Sequence, residues 1–535
     1  MRPKACTTCR QWKARCDAST SHPDPCTRCR TLRRTCTFDR NFKRITKAKR
    51  ILELEEEINH LRGTAAQPLQ SQPQPSSTTI SASPHTSPAD KTCPPPATIV
   101  ATSTPPADGL CLSAKSIGNV HFSAAQVTEL FRIFSIRCHP HLPMNMCLSP
   151  DPVFDRCPLL FWAICAAAAS DHPILLLQPE ISSLVATIIA TPPRSVEIVQ
   201  GLLILCMWPF PYSNTTEDPS LIYSGMATQA ALQMGLHRPN FGNEFSSKKD
   251  PSVEREEVKR STWLACYIVA QLQSFRLGIP LSIPVDFSFR AALSGSHISP
   301  LLANLYRISQ FTTQFNSVIG ASASTPSGLL EPSTRIDMIK LFLVEFDRLK
   351  EEIAGETSQM LDLSLLASKL QLLSFALHDD TPRSEDIVPL YYQAENEAMR
   401  LIQTASECNL SIVPAHILRH LFFATVMLIK ISWSPYISQR ELVQDKINHA
   451  IQSLSTAVKV QDDHTQRGCH LLRSTMILRD CKRTPSIRSR MASSLLFDNM
   501  RVRKEYVDEA SAAVVPPNFL DLDGIDWQDL GAIFV

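Results

Sequence analysis

Glycine is scarce in this chain, with 15 residues in 535, and so are aromatic residues at 7% and charged residues at 19%. So few glycines leave little material for the tight turns of a hairpin-rich β fold, and a mostly helical chain is expected. There is no glycine-rich phosphate loop and no nucleophile elbow. Downstream of residue 36 there is no metal-ligand motif either, so the usual sequence marks of an enzyme are missing. No apolar run reaches the roughly 18 to 20 residues that span a bilayer. The longest, Ile198 to Phe210, is broken by Pro209, so no membrane partner is expected. The chain begins Met-Arg-Pro-Lys without an apolar leader, so its 17 cysteines read as reduced thiols rather than a disulfide framework.

Net charge is nearly absent too, at +2, but the balance hides an asymmetry. Residues 1–50 hold fifteen Lys and Arg against three Asp, or +12, which leaves about −10 for the remainder. A basic head of this kind is the electrostatic footprint of a protein that meets a polyanion.

Within that head lie six cysteines, at Cys6, Cys9, Cys16, Cys26, Cys29 and Cys36. Two halves repeat at an offset of twenty: Cys6-Thr7-Thr8-Cys9-Arg10 matches Cys26-Thr27-Arg28-Cys29-Arg30, Trp12 falls on Leu32, Lys13 on Arg33 and Cys16 on Cys36. Structural zinc takes four tetrahedral ligands, and a two-residue gap lets two thiolates reach one metal from a tight turn into a helix. Two independent sites need eight thiolates, so six suffice for two Zn²⁺ ions only if two are shared. Pseudo-symmetry assigns the shared pair to the first member of each half, Cys6 and Cys26. A short helix is expected after the second cysteine of each half, carrying Arg10, Lys13 and Arg15 in one and Arg28, Arg30, Arg33 and Arg34 in the other. Such helices suit the major groove of double-stranded DNA, where Lys and Arg donate to guanine O6 and N7. Most single arginines in such a surface contact phosphate.

The two-six-nine-two-six cysteine spacing resembles the fungal binuclear zinc cluster transcription regulators. The resemblance implies that the first and fourth cysteines bridge the metals. It also implies that Lys13, four residues after the second cysteine, is the base-contacting lysine of a head reading CCG-type triplets. Many members carry a basic residue just before that lysine, whereas Trp12 stands there in this chain. Tyr223 through Arg238 and Arg260 through Pro280 are similar to the family's middle homology region. Phe131 to Pro143, Ser195 to Pro211 and the Pro23-Asp24-Pro25-Cys26 ending resemble the subfamily of the branched-chain amino-acid biosynthesis activator.

Beyond the cluster domain (residues 1–38), a basic linker over residues 39–50 includes Arg40, Lys43 and Arg44, placed to follow phosphates and to act as a nuclear localisation signal. Ile51, Leu54, Ile58 and Leu61 then fall at a, d, a and d of two heptads over residues 51–62, a pattern for a parallel two-stranded coil and hence a homodimer. Residues 63–110 hold ten prolines, three charges and no Phe, Trp or Tyr. That composition cannot bury enough apolar surface to offset chain entropy, so a disordered tether is expected over residues 63–112.

Residues 113–500 read as an all-helical regulatory domain. Ser123-Ala-Ala-Gln126 has the form of a capping box ahead of Val127, Leu130, Phe131 and Phe134. Asp218-Pro219 starts a helix ending near Gly235, and Asp250-Pro251 starts one ending before Gly278. Periodic segments follow at about 300–318, 335–353, 358–377, 384–403, 413–433 and 441–459. His237 is expected to cap a helix C-terminus, and His139 and His141 to be structural. Over residues 501–535, acids alternate with Phe519, Leu522, Trp527, Leu530 and Phe534, as in amphipathic segments that fold onto a coactivator. The expected fold class is mostly α: a small six-cysteine, two-zinc cluster, a short coil, a disordered linker, a large helical domain and an acidic tail. The expected function is a nuclear, sequence-specific RNA polymerase II regulator, an activator on paired half-sites, whose helical domain answers to a small-molecule effector. A repressor of the same architecture is the alternative. A metabolic enzyme with an accessory DNA-binding head and a structural zinc scaffold rank below it.

Overall fold

The computed structural model describes residues 5–11, 14–17, 24–32, 34–39, 111–169, 172–190, 195–241, 244–245, 256–295, 297–355, 358–477, 488–498 and 500–501. The expected coil lies outside them, as do the expected tether apart from residues 111–112 and the acidic tail apart from Arg501; Cys111 is buried and donates through its N–H to Thr128 at 3.0 Å, so the ordered unit starts before the expected residue 113. The described residues fall into two units, divided near residue 101.

Among the described residues, the core of the first unit is made of its cysteines. Cys6, Cys9, Cys26 and Cys29 are buried, and Cys16, Cys36 and Phe38 pack around them. Two short helices frame this core, α1 (Thr7–Gln11) and α2 (Thr27–Thr31). They begin one residue after the first cysteine of each half, not after the second as expected, because the first cysteine is itself the N-terminal cap. The Cys26 sulfur accepts from the Cys29 N–H and the Cys6 sulfur from the Cys9 N–H, both at 3.4 Å.

The second unit opens on a hairpin of β1 (Lys115–Ile117) and β2 (Val120–Phe122), paired antiparallel with Lys115 opposite Phe122. It then becomes helical. At the start of α3 (Ala124–Ile133) the Ser123 hydroxyl accepts from the Gln126 N–H and the Gln126 side chain accepts from the Ser123 N–H, the reciprocal capping box expected from the sequence. Next come α4 (Pro150–Arg156), α5 (Pro158–Ala168), α6 (His172–Ala190) and α7 (Val196–Met207). After these are α8 (Ser220–Gln233), α9 (Glu256–Leu277) and α10 (Phe287–Leu293). The remainder is α11 (Pro300–Gly320), α12 (Pro332–Glu352), α13 (Gln359–Ser374), α14 (Val388–Ser406), α15 (Ala415–Ser432), α16 (Arg440–Ser455) and α17 (His464–Ile477). Proline occupies the first turn of α4, α5, α11, α12 and α14, where its missing N–H would have had no helical partner in any case.

The axis of the unit is α9, buried from Arg260 to Arg276 and packed against α7, α8, α10 and α11. Its apolar stripe stacks Trp263 on Phe289 (5.0 Å) and sets Tyr267 edge-on to Phe289 and Tyr306. Buried hydrogen bonds tie several of its polar side chains in place. The Trp263 indole donates to Ser288 at 3.0 Å, Gln200 donates to Thr262 at 3.0 Å, and Arg276 donates to Gln273 at 2.8 Å. One helix, α15, is long and apolar enough to cross a bilayer, contrary to the sequence expectation. It is a core helix instead, 78% buried, packed by α13, α14, α16 and α17.

His237 does not cap α8. Backbone bonds from Met234 to Ala230, Gly235 to Leu232 and Leu236 to Ala231 already close that helix over Gly235 at φ +74°. The His237 ring lies edge-on to Phe245 at 5.2 Å. His139 donates through Nε2–H to the Met144 carbonyl at 2.9 Å, and His141 is held neutral by burial, at a pKa of about 4.

A terminal strap, residues 488–498, ties the unit together. The Ala492 N–H donates to Asn316 at 2.8 Å, Ser374 donates to the Ala492 carbonyl at 3.1 Å, and Ser493 donates to the Phe275 carbonyl. The strap crosses α9 where the chain leaves it, at Gly278, whose φ is +60°. A Cβ there would stand 2.6 Å from the Arg490 carbonyl oxygen. Gly278→Ala is therefore expected to cost about 2 kcal/mol or more, from the left-handed backbone and the clash together, read as a lowered urea midpoint of the helical unit. An unchanged midpoint would show that the strap is not held against this turn.

Candidate metal centre and nucleic-acid interface

Six sulfurs converge in the first unit. Two sets of four, Cys6–Cys9–Cys16–Cys26 and Cys6–Cys26–Cys29–Cys36, each have all ligand atoms within 4.8 Å of one another. Cys6 and Cys26 belong to both. The individual contacts are Cys6 to Cys26 at 4.0 Å, Cys6 to Cys29 at 3.7 Å, Cys9 to Cys26 at 3.8 Å and Cys16 to Cys6 at 3.9 Å. All six are free thiols. The donor set fits a structural zinc centre, with sulfur ligands only, four to a group and largely shielded from solvent.

Electrostatics point to the same need for a cation. Burial raises the Cys6, Cys9, Cys29 and Cys36 thiols above their ordinary value, and at Cys29 the crowding by Cys26 and Cys6 adds to it. At Cys26 burial acts in the same sense but is outweighed by the Cys29 N–H and the neighbouring thiols, which bring it down to about 6. Six thiolates cannot share this space without positive charge between them. Zinc, which binds thiolates, supplies that charge and displaces the protons.

The two halves are locked by bonds that the sequence reading missed. The Thr27 N–H donates to Asp17 at 3.0 Å and its hydroxyl donates to the other carboxylate oxygen. The Thr7 N–H donates to the Thr37 carbonyl at 2.9 Å, with the two hydroxyls 2.8 Å apart. These bonds are pseudo-symmetric. In each case the residue after the third cysteine of one half holds the residue after the first cysteine of the other. Likewise the Cys6 N–H faces the Cys16 sulfur at 3.5 Å, and the Cys26 N–H the Cys36 sulfur at 3.4 Å. The offset of twenty was the available signal, had it been extended from the cysteines to their neighbours.

Arg10, Arg15, Arg30 and Arg34 are exposed and Arg28 is half-buried. Arg10 donates to the Asp39 carbonyl at 3.0 Å, so its guanidinium is steered by the chain that leaves the cluster. Lys13, Arg33, Arg40, Lys43 and Arg44 lie outside the described residues. So do the coil positions Ile51, Leu54, Ile58 and Leu61 and the tail positions Phe519, Leu522, Trp527, Leu530 and Phe534. In the helical unit, the sequence reading also missed a buried carboxylate, Asp218, paired with Arg276 and Arg419.

Because four thiols stand above their ordinary range, loading the metal-free chain with zinc near pH 7 is expected to release at least four protons per cluster, followed by pH-stat titration. Zinc affinity falls as pH falls, since protons compete for the same sulfurs. Release of fewer than two protons would contradict thiolate ligation.

Comparison with known proteins supports both units. Residues 4–45 match the fungal Zn(2)-Cys(6) binuclear cluster domain, and residues 156–370 match the fungal specific transcription factor domain. The chain is 27% identical to Transcriptional regulatory protein SEF1 of Candida albicans over 519 residues, 84% of this chain and 56% of that protein. It is 25% identical to Regulatory protein LEU3 of Saccharomyces cerevisiae over 461 residues, 71% of this chain and 51% of that protein. With the SEF1 protein of Eremothecium gossypii it shares 27% identity over 333 residues, 61% of this chain and 32% of that one. The chain thus spans between a third and just over half of the length of these relatives. No solved structure matches it.

Proposed function

We propose that this chain, a zinc-dependent DNA-binding regulator of the fungal binuclear cluster family, is a nuclear activator that reads paired CCG-type triplets as a homodimer. The observation that carries the reading is the pair of four-sulfur groups sharing Cys6 and Cys26 beneath a rim of exposed arginines. Two Zn²⁺ ions bridged by those two thiolates hold α1 and α2 at a fixed angle. Lys13 then supplies the base contact, donating to guanine O6 and N7. Arg10 and Arg15, with Arg40, Lys43 and Arg44 of the linker, neutralise phosphates and fix the register of the head on the duplex.

The proposed division follows the chemistry: cluster 1–38, basic linker 39–50, coil 51–62, tether 63–112, helical regulatory domain 113–500 and activation segment 501–535. Ile51, Leu54, Ile58 and Leu61 pair two chains. Phe519, Leu522, Trp527, Leu530 and Phe534 engage a coactivator while the intervening acids keep the segment soluble. The alternating composition of this tail favours activation over repression.

Selection of bound sequences from a random DNA pool by the zinc-loaded chain tests the head. Paired CCG triplets at one spacing are expected, and Lys13→Ala is expected to lose the triplet preference. Arg15→Ala is expected instead to weaken binding to all sequences alike and to lower the salt slope by about one. No enriched sequence would overturn the reading head, and single triplets would overturn the dimer.

A further inference from the structure

Three charged side chains are buried together in the helical unit, and their charges do not cancel. The Asp218 side chain is 0% exposed, Arg276 4% and Arg419 10%. Both guanidiniums meet one carboxylate oxygen, Arg276 at 3.0 Å and Arg419 at 3.4 Å. The other oxygen of Asp218 is committed to the start of α8, accepting from the Ser220 N–H at 2.9 Å and from its hydroxyl at 2.5 Å. Asp218 is the only carboxylate with which either arginine pairs among the described residues. The titratable groups that face them add no negative charge. Burial keeps Tyr212 protonated, and it keeps His464 and His420 neutral at pKa values of about 3. One positive charge is therefore left over in a site from which water is largely excluded, an unfavourable arrangement unless an anion answers it.

Hydrogen bonding tells the same story independently. Arg419 Nε and the Thr215 hydroxyl are buried without a hydrogen-bond partner among the described residues. Both residues line one cavity, together with Arg276, the apolar Phe275, Leu418, Phe422, Leu454 and Leu496, and the uncharged polar Tyr212, His464 and Thr465. The cavity has a volume of about 40 Å³. That is roughly three or four water positions, room for a carboxylate and a short carbon chain. A buried donor set with a surplus of one charge, in a cavity lined in part by apolar side chains, selects a monoanion with an apolar body. A dianion would reverse the imbalance, and a neutral molecule would leave it.

We propose that this cavity binds a small aliphatic monocarboxylate, its carboxylate held by Arg419, Arg276 and Thr215 and its carbon body against Phe275, Leu418 and Phe422. The cavity draws on the chain after α7, the last turn of α9, and α15 and α17, and Leu496 of the terminal strap lines it too. Ser493 of that strap donates to the carbonyl of Phe275. Occupancy of the cavity thus bears on the segment that leads directly into residues 502–535. That consequence rests on the regulatory reading of the helical unit, whereas the binding itself does not.

The test is calorimetric titration of the full chain, with its unfolding temperature recorded alongside, using isobutyrate, isobutyramide, succinate, phosphate and chloride as probes. Saturable binding of one isobutyrate per chain is expected, with a raised unfolding temperature and no response to isobutyramide. Arg419→Gln and the near-isosteric Thr215→Val are each expected to weaken binding about tenfold or more. Arg419→Gln also removes the surplus charge, so its unfolding temperature without ligand should not fall. A large fall would mean that Arg419 is a structural ion-pair member, and would overturn its assignment as the anion's partner. The inference is also overturned if isobutyrate fails to bind, if isobutyramide binds equally, if phosphate, succinate or chloride binds more tightly, or if Thr215→Val, folded by circular dichroism, binds as well as the native chain. DNA selection on the same preparation is a separate readout, so failure of the cavity and failure of the reading head are told apart.

Discussion

Six sulfurs crowded into two four-membered groups that share Cys6 and Cys26 are the constraint around which the first unit is arranged. Among the described residues its core consists of cysteines with Phe38 against them, so what holds it together is sulfur chemistry rather than an aliphatic interior. The thiols that give the fold its centre also resist being charged together, as the raised values at Cys6, Cys9, Cys29 and Cys36 indicate. Metal binding and folding of the head are thereby a single equilibrium. The orientation of α1 and α2, and of every basic side chain they carry, follows from where Cys6 and Cys26 sit.

The helical unit obeys a different economy. Its stability comes from apolar burial around α9, with buried hydrogen bonds such as those from Trp263 to Ser288 and from Gln200 to Thr262 adding specificity. Against that background Asp218 stands out as one buried carboxylate shared by two arginines. The terminal strap closes the unit over the end of α9, next to the same place. A change in the packing of Phe275 is therefore placed to reach the chain beyond residue 501.

What the sequence disclosed tracks how local each determinant is. The cysteine duplication, the Ser123–Gln126 capping box and the helices α11 to α16 rest on spacing within a few turns, and the structure has them within a few residues of the reading. The start of α1 and α2 was misjudged because a cysteine sulfur, not a hydroxyl or carboxylate, serves as cap. His237 was misread because the backbone of Gly235 and Leu236 does the capping. The α15 core helix was missed as a long apolar stretch because Arg419 and Lys430 interrupt the run without changing its average. Asp218, Arg276 and Arg419 were not legible as a group at all. They are separated by 58 and 143 residues, and only tertiary packing brings them together.

The most direct test of the account is the zinc content of the native chain, measured by native mass spectrometry together with the number of cysteines in residues 1–38 that resist alkylation. The account predicts two zinc ions per chain with all six thiols protected, and loss of both ions together when Cys6 or Cys26 is replaced by serine. One zinc ion with two freely alkylated thiols among the six would contradict it, because the shared sulfurs would then not be shared.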